Sequence, residues 1–442
     1  MIKLPDISRA KSTAYKIFLV LKGFKRVFPR SEKMAIVALL LIAFITLTLW
    51  VREVRSEDSG GSKMTYTEGW LIKDSNAIPD LGRLTNAGLT RYLSDGSIGA
   101  DIADKWEESE DHLTYKFTIN DYYSASMLMQ NIEQSGDVFG DVEASSPDEK
   151  TIVFKLHQPY NFFLGVTTKS VFPFGPYTVE SQTEQNITLV SRKDYHLEKP
   201  KIKRIVLRMY GNEKELERVL KTRKVLASAD LDRDIIGEKS QRIALPRYIS
   251  VFFNTRHAPF DKKEIREKII KGENVADLKL KVKLVATDSQ EVKDELQGVV
   301  DRLNKQGIQI DVVTQDTGTL VSGVLAKRDF DLLLFGIDYG YGEDLYPFWH
   351  SSRTDSPGNN FTGLKSKELD WKLEDARLTT NLDERANKIK EAKEIIKNEF
   401  VEIPIKEKVM LYQSSYKVKN NDLKHLADPL DRFNYISEWT VN

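Results

Sequence analysis

Residues 279–337 carry the pattern that most narrows what the chain can become. Leu280, Val282 and Leu284 alternate with Lys279, Lys281 and Lys283, the period-two mark of a strand with one charged face. Val292, Leu296, Val299, Val300 and Leu303 then fall at helical spacing. Asp288 or Ser289 is placed to cap the start of that helix, and Gly307 stands where a left-handed C-terminal cap is wanted. Ile308, Ile310 and Val312 mark a second strand, and a short helix is expected over about 318–327. The nearly continuous apolar run Phe330 to Ile337 (FDLLLFGI) suits a strand buried on both faces. This alternation implies a parallel sheet with right-handed crossovers, hence an α/β architecture.

At 442 residues the chain exceeds what one core usually supports, about 250 to 300 residues. Residues 65–255 differ in character from the α/β unit. Strand-like runs at 114–119, 151–156, 187–191 and 202–210 are broken by Gly, Pro, Asn and Asp clusters, with one clear helix at 213–225. Over 368–399, Ala386, Ile389, Ala392, Ile395 and Ile396 form the apolar stripe of one or two helices, with Asn381 or Asp383 as a cap.

Met34 to Val51 holds eighteen residues without a charge, which at ~1.5 Å rise each nearly spans a ~30 Å hydrocarbon core. Nine Lys and Arg stand before it against only Asp6 and Glu32, so the positive-inside bias puts residues 1–33 in the cytoplasm. A cleaved signal peptide is the rival reading, but no small-x-small site follows the apolar run. Residues 34–51 are therefore expected to be an uncleaved transmembrane anchor and residues 52–64 a flexible linker, with the rest of the chain extracytoplasmic. The sequence has no cysteine, which excludes disulfides, thiolate catalysis and a lipidated N-terminal Cys as the tether.

Lys+Arg and Asp+Glu balance at 66 each, so nothing steers the protein toward nucleic acid. No hydrolase, metalloprotease or phosphate-loop motif is present, and the six histidines are scattered singly; no catalytic residue, metal or cofactor is expected. The one dense polar-aromatic cluster is Gly336 to His350 (GIDYGYGEDLYPFWH), directly after the buried strand, and the carboxyl ends of parallel strands are where open α/β sheets bind ligands. On a functional reading Asp338 or Asp344 offers a carboxylate to an amine, while Tyr339, Tyr341, Tyr346, Phe348 and Trp349 supply ring surface; His350 is counted among the expected ligand-binding residues. On a structural reading the same residues form a Gly-rich loop whose aromatics serve packing.

Several runs resemble the extracytoplasmic solute-binding family 5, the oligopeptide-, dipeptide- and nickel-binding proteins of ABC importers. The first is 88–119 (GLTRYLSDGSIGADIADKWEESEDHLTYKFTI), where Leu89, Asp95, Gly96, Trp106, Asp111, Tyr115 and Phe117 occupy matching positions. Others are Gly175-Pro176-Tyr177 with Lys193-Asp194-Tyr195, the VFFNTRHAPF run at 251–260, and a tail including Asn360, Gly363, Asp370, Arg377, Arg385 and Pro404. The resemblance implies a two-lobed periplasmic-binding-protein-like fold (type II, cluster C) with mixed α/β lobes. Lobe I is expected over 65–255, completed by 411–442, and lobe II over 256–410, with a connection near Asn254. It further implies that Asp338 first, or Asp344 second, pairs with a peptide amine, and Asn360 is added to the expected site. The chain departs from the family in its 341–346 segment (YGEDLY) and is short over 120–142 and 266–279, losses expected to remove pocket walls. The implied function is capture of an oligopeptide or similar small ligand, as a monomer, for an ABC transporter permease. A sensor or cell-surface scaffold with a degenerate cleft is the alternative, and a surface hydrolase has no nucleophile-base pair to support it.

Overall fold

The computed structural model describes residues 64–72 and 80–442 apart from positions 141, 161, 236, 380 and 425, together with Thr46. The chain divides into two compact units, Met1–Ser62 and Lys63–Asn442, and every described strand belongs to the second. The expected membrane segment apart from Thr46, the basic segment before it and nearly all of the linker lie outside the described residues. Among the described residues no helix is long and apolar enough to cross a membrane.

In chain order the strands begin with β1 (Thr65–Leu71) and the hairpin of β2 (Thr90–Tyr92) and β3 (Ile98–Ala100). A small antiparallel sheet follows, ordered β4-β5-β7-β6, from β4 (Ala103–Glu108), β5 (Thr114–Ile119), β6 (Val142–Asp148) and β7 (Thr151–Leu156). Strands β8 (Tyr177–Gln182), β9 (Asn186–Ser191), β10 (Arg204–Tyr210), β11 (Ala227–Ser228), β12 (Lys239–Phe253), β13 (Lys281–Thr287), β14 (Gln309–Gln315), β15 (Leu332–Asp338) and β16 (Glu402–Ser414) join β1 in one ten-stranded sheet. Its order is β14-β13-β15-β12-β16-β11-β1-β10-β9-β8. A two-stranded ribbon of β17 (Val418–Lys419) and β18 (Thr440–Val441) closes the chain.

The α/β unit forms as its pattern requires. β13 runs parallel to both β14 and β15, and the helix between β13 and β14 spans Gln290–Lys305, with Val292, Val299 and Leu303 buried. Gly307 ends that connection at φ +87°, a conformation a Cβ would penalise. The sheet as a whole is mixed rather than parallel, because β12 and β16 pair antiparallel to their neighbours. Leu332, Leu333 and Leu334 of β15 are fully buried. The region 368–399 resolves into two helices, Lys367–Leu378 and Leu382–Asn398; Ser366 caps the first and Asn381 the second.

β12 and β16 are the longest strands, and they join two halves of the fold. The first half of β12, Lys239 to Ala244, pairs with the end of β16, whose Gln413 and Ser414 also pair with β11. The second half of β12, Arg247 to Phe253, pairs with β15. Between them the register slips across Ala244 to Tyr248, where Pro246 has no N–H to give the ladder. Separate hydrophobic cores flank this crossing. One gathers Tyr66, Leu189, Leu207, Tyr412 and Trp439, and another gathers Phe252, Leu333, Trp349, Leu369 and Ala392. Asn254, expected near the connection, is buried just beyond the end of β12, where its side chain donates to the carbonyls of Arg328 (3.1 Å) and Phe330 (2.9 Å).

Candidate binding cleft

Two cavities lie at the crossing, of about 720 and 770 Å³. Both are lined by residues from either side of the slipped register, and both include Gly340 and Tyr341. Tyr341 lines both, and Tyr92, at the end of β2 and in the wall of the smaller cavity, stacks on it with centroids 3.7 Å apart and planes at 17°. Burial holds both phenols protonated, well above their ordinary range. The Asn434 amide donates to the Tyr341 hydroxyl at 3.3 Å.

The loop carrying Tyr341 is shaped by its own sequence. Asp338 accepts from the Gly340 N–H (2.9 Å) and Asp344 from the Tyr346 N–H (3.1 Å), two Asx-type turns bracketing the segment. Gly342 lies between them at φ +77°, pressed so closely on Phe162 that a Cβ there would stand 2.7 Å from the ring. The loop thus lies flat on Phe162 and presents Tyr341 to Tyr92.

The structure divides the nine residues expected in the site. Tyr341, Asp338, Tyr339, Asp344 and Phe348 line the cleft, all five in the larger cavity. Asp338 is already engaged: Arg247, on the slipped stretch of β12, donates to it at 2.7 Å and to Asp428 at 2.6 Å. Burial opposes the guanidinium charge of Arg247, but these two carboxylates outweigh it and raise its pKa. Asp344 receives a two-pronged pair from Arg377 at 2.5 and 3.2 Å. That guanidinium lies 3.9 Å from the Tyr346 ring centroid and 4.7 Å from that of Tyr160.

Tyr346, Trp349, His350 and Asn360 line neither cavity. Trp349 is buried and donates to the Tyr339 hydroxyl at 2.9 Å. Tyr346 stacks on His350, whose ring meets Ser352 and Glu374. The fully buried Asn360 donates to the carbonyls of Trp349, His350 and Leu364. These four hold the loop to its own half of the fold.

The sequence reading missed Tyr92, Phe162, Arg247 and Arg385. Tyr92 and Phe162 come from distant segments, and no local pattern marks them. Arg247 had one signal, its place beside a proline inside a strand run. Arg385 entered only as part of the tail resemblance; here it lines the smaller cavity with its guanidinium 4.4 Å from the Phe162 ring centroid. The shortened segment at 266–279 lines neither cavity.

Residues 97–270 match the profile of the bacterial extracellular solute-binding proteins, family 5. It is this segment of the chain that resembles family 5. The family 5 stretch runs from the β2–β3 hairpin through β12, so it contains one flank of the cleft and the crossing itself. Among curated proteins the chain is similar to the probable D,D-dipeptide-binding periplasmic protein of Escherichia coli, at 23% identity over 236 residues. That alignment covers 41% of this chain and 46% of the relative, so the chain spans about half the length of the curated protein it matches. The fold is that of solved family relatives. A peptide-binding protein from Clostridium difficile, itself described as putative in that role, superposes with a TM-score of 0.71 at 15% identity, over 85% of this chain and all of the other. An ABC transporter-associated periplasmic binding protein from Helicobacter pylori, solved with the peptide STSA, superposes at 0.62 with 15% identity, over 86% of this chain and 98% of its own. The two-lobed, mixed α/β solute-binding architecture is therefore established.

Proposed function

We propose that the chain is an extracytoplasmic solute-binding protein, tethered by residues 34–51, that captures a short peptide or similar small solute in its cleft and presents it to an ABC transporter permease. The observation that carries this reading is the pair of cavities at the strand crossing, walled from both halves of the sheet, each within the size usual for small-molecule sites, about 300 to 1,000 Å³. Lobe I comprises 65–255 with 411–442 and lobe II 256–410 on the family reading; the slip at Ala244 to Tyr248 supports moving the first boundary back to Pro246. Closure of two such lobes buries the ligand and strengthens its polar contacts by excluding water. Asp338, with Arg247 as its present counter-ion, would serve a ligand amine by exchanging that partner, and Tyr341 would give ring surface to either cavity.

A second reading, a sensor or scaffold with a degenerate cleft, is favoured by one observation. Both carboxylates expected to meet an amine, Asp338 and Asp344, are held by arginines of the chain itself. Native mass spectrometry of the full chain, purified without denaturation, separates the two. Heterogeneous co-purifying peptides would support import binding. A clean apo mass, unchanged against a peptide library, would leave the scaffold.

A further inference from the structure

The smaller cavity is walled by five carboxylates, Asp95, Glu108, Glu343, Asp383 and Glu407, and by a single basic side chain, Arg385. Three of the acids are engaged within the protein. Glu108 accepts from Tyr115 and meets His112, Glu343 pairs with Lys393 at 2.7 Å, and Asp95 accepts from the Ser97 N–H and hydroxyl within its own turn. Asp383 and Glu407 stand exposed at the rim, where water screens them.

Arg385 is in a different position. It is half-buried, and among the described residues no carboxylate comes within ion-pair distance of its guanidinium. Its close neighbours are the Phe162 face and the Gly342 backbone. Burial lowers its pKa, with only Tyr92, Asp344 and Tyr160 acting weakly in the opposite sense. A desolvated guanidinium facing a cavity, with its planar fork set against an aromatic ring, is arranged to receive a planar two-oxygen anion. The surrounding acids repel species of higher negative charge.

We propose that Arg385 is an anion subsite for a singly charged carboxylate, so that the solute taken by the smaller cavity is compact, bears one carboxylate against Arg385 and the Phe162 ring, and ends at the Tyr92–Tyr341 pair. This rests on the solute-binding reading and assigns one end of the ligand. A longer chain would have to displace that ring pair to reach the larger cavity.

The test uses the full chain and two probe sets, read by calorimetry and thermal shift. The first set is acetate, N-acetylglycine, inorganic phosphate and sulfate at equal ionic strength. The second is a mixture of di- and tripeptides, each as free acid and as C-terminal amide. A rise in melting temperature with N-acetylglycine that is absent in Arg385→Gln supports the subsite. So does a preference for free-acid peptides of about tenfold or more, the size of one charge-assisted contact, that falls to the amide level in Arg385→Gln. Arg385→Lys, which keeps the charge without the fork, recovers part of that preference and guards against a folding defect. Equal binding of acids and amides, or phosphate binding as well as the carboxylates, overturns the subsite while leaving solute binding intact. Carboxylates that stabilise through Arg385 while no peptide binds in either form would sustain the subsite and remove the peptide reading. No response to any carboxylate overturns the subsite.

Discussion

Glu68 and Arg432 lie on opposite ends of the sequence and are both buried, joined at 2.5 and 3.1 Å. Glu68 also accepts the Trp70 indole N–H at 2.9 Å and the Tyr66 hydroxyl. Truncating one member strands the other without water or counter-ion. Arg432→Leu is therefore expected to cost roughly 3 to 5 kcal/mol, read as a fall in the urea midpoint at constant slope. Asp338 belongs to another class, since its pair with Arg247 is about two-fifths exposed. Asp338→Asn should change stability by less than about 1 kcal/mol. On the peptide-binding reading it should weaken an amine ligand by roughly 1.5 to 3 kcal/mol, and unchanged affinity would remove Asp338 from the site.

At the scale of elements, the loop between β15 and the helical turn Tyr346–Trp349 depends on one glycine. Gly342→Ala places a Cβ at positive φ and against Phe162, so it should destabilise by about 1 to 2 kcal/mol and shift the Tyr341 ring. Gly336→Ala, in a strand with open space at its Cβ, should be nearly neutral. Parallel thermal melts of the two variants would show the contrast. The same loop marks how far the sequence could be read. Period-two and helical patterns in 280–312 reported their elements because each is a local consequence of one buried face. The roles of Trp349, His350 and Asn360 were not legible. A cluster of rings and polar groups looks alike in sequence whether it faces a ligand or its own core, and the donation of Asn360 to three carbonyls has no local signature. Tyr92, Phe162 and Arg385 were illegible for a different reason, because they meet across nearly 300 residues of chain and no local periodicity encodes that meeting.

For the molecule as a whole, Glu402 at the start of β16 links stability to pH. Burial raises its carboxyl from 4.5 to about 7, against the Ser250 hydrogen bond and the Lys393 charge. In the fold it keeps a proton that the unfolded chain has already lost, so the stabilisation is complete below about pH 4.5 and is lost as pH rises through 7. Its loss should amount to something on the order of 3 kcal/mol. Denaturation midpoints of the wild type against Glu402→Gln between pH 4 and 8 would test this. The variant should lack that decline, and identical profiles would dismiss Glu402 as its source.

The slipped register at Pro246 has a consequence for ancestry and engineering alike. Because β12 and β16 each lend one end to either half, a chain cut at this point gives two fragments with complementary torn edges, and neither holds the ten-stranded sheet entire. Such halves are poor candidates for life as separate proteins or for shuffling onto other scaffolds. They are good candidates for a split reporter, silent apart and restored only when the fragments are brought together.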